Sequence, residues 1–419
     1  KGELIGDGVY TGVAGTGMAL GGRGGGVTVA GGLQNDGGIG GAAKNANATA
    51  LLVGNGTVLP TVANTGTIAA AVTGTSGRSA ALLVDANASL PLVKNSGVIR
   101  AVTIAEGSAY AILDRSGTLS SVENSGAILA GGAKAGAGRN VAIDLSQRTG
   151  DSQVKQTVAA QGVQAPRIEG DIRFGAGSDL LDIADGTVIG NVAFGAGDNR
   201  LKLSGDAIYS GNADFAGGAG TLSIANTATF AGKLVGAQNT AVAVSGGSLF
   251  VNAPTTVRSL DVGATGVVGV TLGSDPAASG IVVNGAANFA QGAKIGIALS
   301  ELPTLGESYR LISAGTLTGA DKLATTDALL PFMFKAALAV SGNTVNVDID
   351  RKNSDELGLN RSEAAAFDGL YEALAEDDDV AKIFLNIADA QTLQAYVGTT
   401  LPDHAGGGFE GLSQALRAF

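Results

Sequence analysis

Four copies of one seven-residue phrase constrain this chain more than any other feature. They are Leu33-Gln-Asn-Asp-Gly-Gly-Ile39, Val62-Ala-Asn-Thr-Gly-Thr-Ile68, Val93-Lys-Asn-Ser-Gly-Val-Ile99 and Val122-Glu-Asn-Ser-Gly-Ala-Ile128. Their asparagines, Asn35, Asn64, Asn95 and Asn124, stand about 29 to 31 residues apart, a period that belongs to stacked repeat architectures. The flanks repeat as well: Ala50-Leu-Leu-Val53 and Ala81-Leu-Leu-Val84 precede Leu59-Pro60 and Leu90-Pro91. Each unit reads as short strand, sharp turn, short strand, with Asn-Ser-Gly or Asn-Thr-Gly supplying residues that tolerate positive φ. One such coil cannot bury its own apolar side, so the coils must stack, with parallel strands about 4.8 Å apart. The asparagines then fall above one another as a hydrogen-bonded ladder, a structural role that outweighs ligand contact for these side chains.

A second register begins near Ile172. Ile172-Arg-Phe-Gly-Ala-Gly177, Val192-Ala-Phe-Gly-Ala-Gly197 and Ala213-Asp-Phe-Ala-Gly-Gly218 place Phe174, Phe194 and Phe215 about 20 to 21 residues apart. That spacing predicts a tighter, three-sided coil with one stacked phenylalanine per rung. The β texture continues less regularly to Ile349, through Gly266-Val-Val-Gly-Val270, Gly280-Ile-Val-Val283 and Val345-Asn-Val-Asp-Ile349. Composition agrees with a narrow interior. Glycine supplies 67 of 419 residues, yet 45% of the chain is apolar and Trp is absent, so the core is built from Val, Ile, Leu and Ala.

At Lys352 the pattern changes. Asn360 and Glu363 form a capping box, and Phe367, Leu370, Tyr371 and Leu374 follow at helical spacing. The acidic run from Glu376 to Asp379 suits the start of a second helix, whose dipole favours negative charge. Phe384, Ile387, Leu393, Tyr396 and Val397 continue the amphipathic pattern. Four segments are therefore expected: a solenoid of about 30-residue repeats over 1–150, one of about 20-residue repeats over 151–250, a less regular β region over 251–350, and a helical linker over 351–419.

The order of these segments, with Leu357-Gly-Leu-Asn-Arg-Ser-Glu-Ala-Ala-Ala366 and Leu401-Pro-Asp-His-Ala-Gly-Gly-Gly-Phe409, resembles the type V autotransporters over essentially the whole chain. The resemblance implies an all-β fold, a right-handed parallel β-helix (β-solenoid) with a short C-terminal helical segment. It implies that 251–350 corresponds to the family's autochaperone region and that 351–419 leads toward an outer-membrane β-barrel. That barrel, absent from these residues, would be the partner. The location it implies is the extracellular side of the outer membrane, with a role in adhesion, self-assembly or display and with cell-surface or self partners. Both ends of the sequence read as cuts inside a larger polypeptide. Alternatives are the stalk of an enzyme autotransporter whose catalytic head lies upstream, or a calcium-stabilised secreted β-roll.

The formal net charge is −11 and no basic stripe occurs, which argues against a nucleic-acid partner. Catalysis has no visible constellation. His404 is the single histidine, and Gly74-Thr-Ser-Gly77 lacks the spacing of a nucleophile elbow. No cysteine and no His-Glu-x-x-His motif offers a zinc site. The reading is accordingly no catalytic residue, no cofactor, no metal and no small-molecule substrate. Calcium is the closest contender, because Gly175-Ala-Gly-Ser-Asp-Leu-Leu181 matches the core of calcium-binding β-roll repeats. Its second copy, Gly195-Ala-Gly-Asp-Asn-Arg-Leu201, carries Asn199 and Arg200, and the third, Gly217-Gly-Ala-Gly-Thr-Leu222, has no carboxylate. Solvated turns are the expected state of these phrases.

Overall fold

The computed structural model describes residues 2–21, 24–326 and 329–399. The chain forms two compact units, Lys1–Leu249 with Thr255–Leu260, and Phe250–Pro254 with Asp261–Phe419. The first is a parallel β-solenoid. One 30-residue unit makes one rung of three strands, as in Leu92–Asn95, Val98–Ala105 and Ser108–Asp114. We call the sheets that carry these strands the Asn face, the long face and the third face. The next rung repeats them as Ser121–Asn124, Ala127–Ala133 and Asn140–Asp144, paired parallel and in register, with Asn95 opposite Asn124 and Ile99 opposite Ile128. The sequence pattern anticipates two of the three strands. The third face is where the Ala-Leu-Leu-Val segments lie, with Leu51 opposite Leu82 and Val53 opposite Val84.

Alternation sets what points inward. On the Asn face Val93 and Asn95 are buried while Leu92 and Lys94 are not, and on the long face Ile99 and Ala101 follow suit. The outward Lys94 meets Glu123 of the next rung at 3.4 Å, an exposed pair of small energetic value. The corner glycines answer to a different constraint from the expected one. Neither the four ladder asparagines nor Gly37, Gly66, Gly97 and Gly126 adopt positive φ. Instead, a Cβ on Gly97 would lie 2.1 Å from the Gly66 carbonyl oxygen, and one on Gly126 would lie 2.2 Å from that of Gly97. Backbone rests directly on backbone at this corner, and only glycine leaves room.

After Gln153–Gln156 the coil contracts. The long-face strand falls from the seven residues of Ala127–Ala133 to the three of Arg167–Glu169, and the third-face strand of the following rung is only Val192–Ala193. Short rungs then succeed one another, as in Leu180–Ile183 paired with Arg200–Leu203. Phe174, Phe194 and Phe215 stack inside them with centroids 5.2 Å apart, as the 20-residue spacing predicts. A second stack, Tyr209 on Phe230 at 5.2 Å, lies on the long face. All five rings are buried.

The second unit begins as parallel β-structure and ends otherwise. Val267–Leu272 pairs with Lys294–Leu299, and Ile281–Phe289 with Ser308–Thr318. Ser308–Thr318 then takes an antiparallel partner, Thr344–Arg351, which itself forms a hairpin with Phe334–Ser341. Ser341 faces Thr344 across a two-residue turn in which Gly342 has φ 55°, the left-handed conformation such turns demand. Three helices follow: α1 (Arg361–Leu374), α2 (Asp378–Leu385) and α3 (Ala390–Thr399). The capping box at Asn360 is present, with Asn360 Oδ1 accepting from the Glu363 amide at 3.0 Å and Glu363 returning a bond at 2.8 Å. Asp377 caps α2 by accepting from the Asp379 and Val380 amides at 3.0 and 3.2 Å, without a reciprocal bond. Phe367 and Leu374 are buried, while Tyr371 meets Phe334 edge-on and lies under the Arg351 guanidinium at 4.8 Å.

Candidate functional site

Many of the buried polar side chains of the first unit are engaged between rungs at its corners. The inner ladder runs in one direction. Asn35 Nδ2 donates to Asn64 Oδ1 at 2.7 Å, Asn64 to Asn95 and Asn95 to Asn124 at 2.8 Å each, and Asn124 to Gln156 Oε1 at 3.2 Å. Each asparagine also donates to a carbonyl two residues on and to one in the next rung, as Asn95 does to Gly97 and Ala127. The four asparagines are at most 7% exposed, so their amides are spent inside the coil. Gln156 ends the series by donating to the Asp185 and Thr187 carbonyls, and Ile183 takes the equivalent position in the next rung.

The calcium-like phrases form turns with exposed residues at Ala176, Ala196, Asp198 and Ala219, but the side chains of Asp179 and Asn199 point inward and are buried. Asp179 is fully buried, with Oδ1 accepting from the Ser152 amide at 2.7 Å and the Ser152 hydroxyl at 2.6 Å. Its own amide donates to Asn199 Oδ1 at 2.9 Å, and Asn199 Nδ2 turns back to the Gly195 and Gly197 carbonyls. These side chains close the corner before the Asn face. Oδ2 of Asp179 has no hydrogen-bond partner among the described residues, and burial pushes its carboxyl above the usual carboxylate range, opposed by the Ser152 bonds. No group of three metal-ligating His, Cys, Asp or Glu side chains occurs among the described residues.

Gly74-Thr-Ser-Gly77 is an exposed bend whose Thr75 amide donates to Asn45 Oδ1 at 2.7 Å. His404 and the Leu401–Phe409 phrase lie outside the described residues. Among those residues no helix is long and apolar enough to cross a membrane.

The contraction of the coil builds one concave feature. Because Ala127–Ala133 continues where Arg167–Glu169 has already turned, residues 134–140 overhang the corner between the long and third faces. A recess of about 390 Å³ results, lined on one side by Lys134, Arg139 and Asn140 and on the other by Glu169, Asp171, Ile189 and Asn191. Its rim is fixed. Asn140 exchanges two hydrogen bonds with the Ala133 backbone, Arg139 binds Glu106 at 2.7 Å, and the Arg173 guanidinium donates to the Gly138 carbonyl. The back wall is a second ladder: Asp171 Oδ1 accepts from Asn191 N and Nδ2 at 3.0 and 3.1 Å, Asn191 Oδ1 from the Asn212 amide, and Asn212 Oδ1 from that of Lys233. Glu169 is paired with Arg167 at 2.9 Å. Lys134 is exposed and its ammonium has no partner among the described residues.

No family model, curated protein or solved structure matches this chain. Sequence reasoning missed the recess, the back-wall ladder and the Tyr209–Phe230 stack. Signals existed for each: Asp171, Asn191 and Asn212 recur at the phenylalanine period, as do Tyr209 and Phe230, and the change of period itself marks the step.

Proposed function

We propose that this chain is the surface-displayed passenger stalk of an autotransporter, serving adhesion, self-assembly or display. The observation that supports this reading most is the continuous three-faced parallel ladder of the first unit, in which Asn, Asp and Ser side chains are used for bonds between rungs. Such a ladder is extensible and stiff, and it offers surface along its whole length. The second unit fits the proposal because its parallel strands give way to an antiparallel hairpin and then to helices. A paired hairpin leaves no long open parallel edge at that end, which suits a segment that folds first and templates the rest. The resemblance assigns 251–350 this autochaperone role and makes 351–419 the lead into an outer-membrane barrel. The reading assigns no catalytic residue and no cofactor.

The test is accessibility on intact cells that produce the protein. Antibody raised against residues 1–249 should label them without permeabilisation, and added protease should remove the label. Labelling only after the envelope is opened refutes the proposal.

A further inference from the structure

We propose that the recess at the step between long and short rungs is a binding subsite for one acidic sugar unit, a ring bearing a carboxylate and vicinal hydroxyls. The proposal concerns the folded first unit alone and does not depend on how the chain reaches its destination.

Four observations carry it. The recess is preformed, because its overhanging rim is held by Asn140, by the Arg139–Glu106 pair and by Arg173. Its volume, about 390 Å³, suits one ring and not an extended peptide. Its walls carry opposite charge: Lys134 and Arg139 on the overhang, Glu169 and Asp171 on the corner. The groups differ in what they have left to offer. Arg139 and Glu169 Oε1 are held in ion pairs with Glu106 and Arg167, whereas the Lys134 ammonium is wholly unpaired and Asp171, whose Oδ1 is taken by Asn191, keeps Oδ2 without a partner among the described residues.

That pattern selects a ligand class. The ammonium of Lys134 offers three donors to a carboxylate, and the unused oxygen of Asp171 can accept only from donors such as ring hydroxyls. The side chain of Ile189, 49% exposed at the edge of the recess, supplies an apolar surface for the C–H face of a ring. A nucleic acid or polyphosphate would set several charges per unit against Glu169, Asp171 and a net charge of −11 and would bring no hydroxyl to Asp171, whereas a sugar acid sets a single carboxylate near Lys134. An apolar ligand would leave four charged groups desolvated. A neutral sugar would satisfy Asp171 and leave Lys134 unused. An acidic sugar satisfies both.

The experiment is a titration of the purified chain, by calorimetry or ligand-observed NMR, with a uronic acid monosaccharide, a uronic acid tetrasaccharide, a neutral glucose tetrasaccharide and tripolyphosphate. Saturable binding of the uronates is expected, with the neutral sugar at least about tenfold weaker. A monomer as tight as the tetramer identifies a free sugar acid as sufficient; a tighter tetramer identifies a glycan chain. Lys134→Met should weaken uronate binding about tenfold or more. Asp171→Asn keeps the acceptor for Asn191 while losing the charge and should weaken it several-fold. Lys94→Met, on the outside of the Asn face, should change nothing. Circular dichroism confirms that each variant is folded. The proposal is overturned if no uronate binds at about 10 mM, if the neutral sugar or the polyphosphate binds as well as the uronates, or if folded Lys134→Met binds like the parent.

Discussion

Replacing Asn95 by aspartate changes one ladder amide into a carboxylate of the same shape and isolates the donor role of the ladder. Asn95 accepts one bond from Asn64 at 2.8 Å, and Nδ2 donates to Asn124 Oδ1, the Gly97 carbonyl and the Ala127 carbonyl at 2.8, 3.2 and 3.1 Å. Aspartate keeps the accepted bond and loses all three donated ones. The amide has two N–H groups to share among those three acceptors, so at about 1 kcal/mol per bond they account for about 2 kcal/mol, and a carboxylate left facing three oxygens in a site only 2% exposed raises the loss to about 3–5 kcal/mol at pH 7. Protonation returns one donor and removes the charge, so the folded state raises the carboxyl pKa above its unfolded value of about 3.9. The deficit relative to the parent should therefore be smallest below that value and grow as pH rises through the folded-state pKa. Guanidinium unfolding followed by circular dichroism at pH 7 and pH 4, with parent and Asn95→Leu alongside, measures this. Leucine should be milder than aspartate at pH 7, since Leu203 occupies the equivalent position in a short rung. An aspartate variant within about 1 kcal/mol of the parent at pH 7, or a deficit unchanged by acid, refutes the ladder's donor role.

The other expectations span packing, close approach, titration and folding order. Phe194→Ala should lose about 3–5 kcal/mol, because the ring is stacked on both sides, and a loss below about 1 kcal/mol in denaturant unfolding contradicts that packing. Gly97→Ala should lose more than about 2 kcal/mol, because its Cβ would meet the Gly66 carbonyl at 2.1 Å; a variant with the parent's melting temperature argues against backbone contact at the corner. Asp179→Asn should gain about 1 kcal/mol at pH 7. The raised pKa of Asp179 means that its ionisation opposes folding, so its contribution is most favourable below the unfolded pKa and is lost as pH rises through the folded one. Asparagine should abolish that slope, since Asn199 shows how an amide fits the same corner, and destabilisation at pH 7 contradicts this account. Hydrogen exchange should be slowest within 251–349, where Val268, Val270, Ile281 and Val283 are buried, and fastest exchange there excludes the autochaperone role.

What was legible in the sequence is what recurs with a period. The asparagine corners, the phenylalanine stack and the capping box at Asn360 each depend on residues at fixed separations, and stacking or helical pitch turns those separations into contacts. The reason for the corner glycines was not legible. A requirement for positive φ and one for close approach select the same residue, and only the distance to the carbonyl of the neighbouring rung separates them. The burial of Asp179 was hidden for a related reason: the phrase shows a carboxylate in a turn, but not that Ser152, 27 residues earlier, is poised to donate to it. The recess escaped because it belongs to the break between two periods: Asp171 and Asn191 recur, but Lys134 and Arg139 on the overhang have no repeated counterpart to set beside them.

The direction of the asparagine ladder bears on how such a chain changes length over evolutionary time. Asn64, Asn95 and Asn124 each present an amide oxygen to the preceding rung, and Asn35, Asn64 and Asn95 each present an N–H to the following one, so any two of these units can be joined by the same bond. Duplicating or deleting one whole 30-residue unit preserves every junction, whereas inserting a partial unit would bring a side chain of the wrong kind against Asn Oδ1. A ladder built this way can lengthen or shorten by whole rungs without losing a junction. Gln156 sets the limit of that freedom. Its side chain accepts from Asn124 and donates only to backbone carbonyls, so a copy placed anywhere but last would terminate the ladder early.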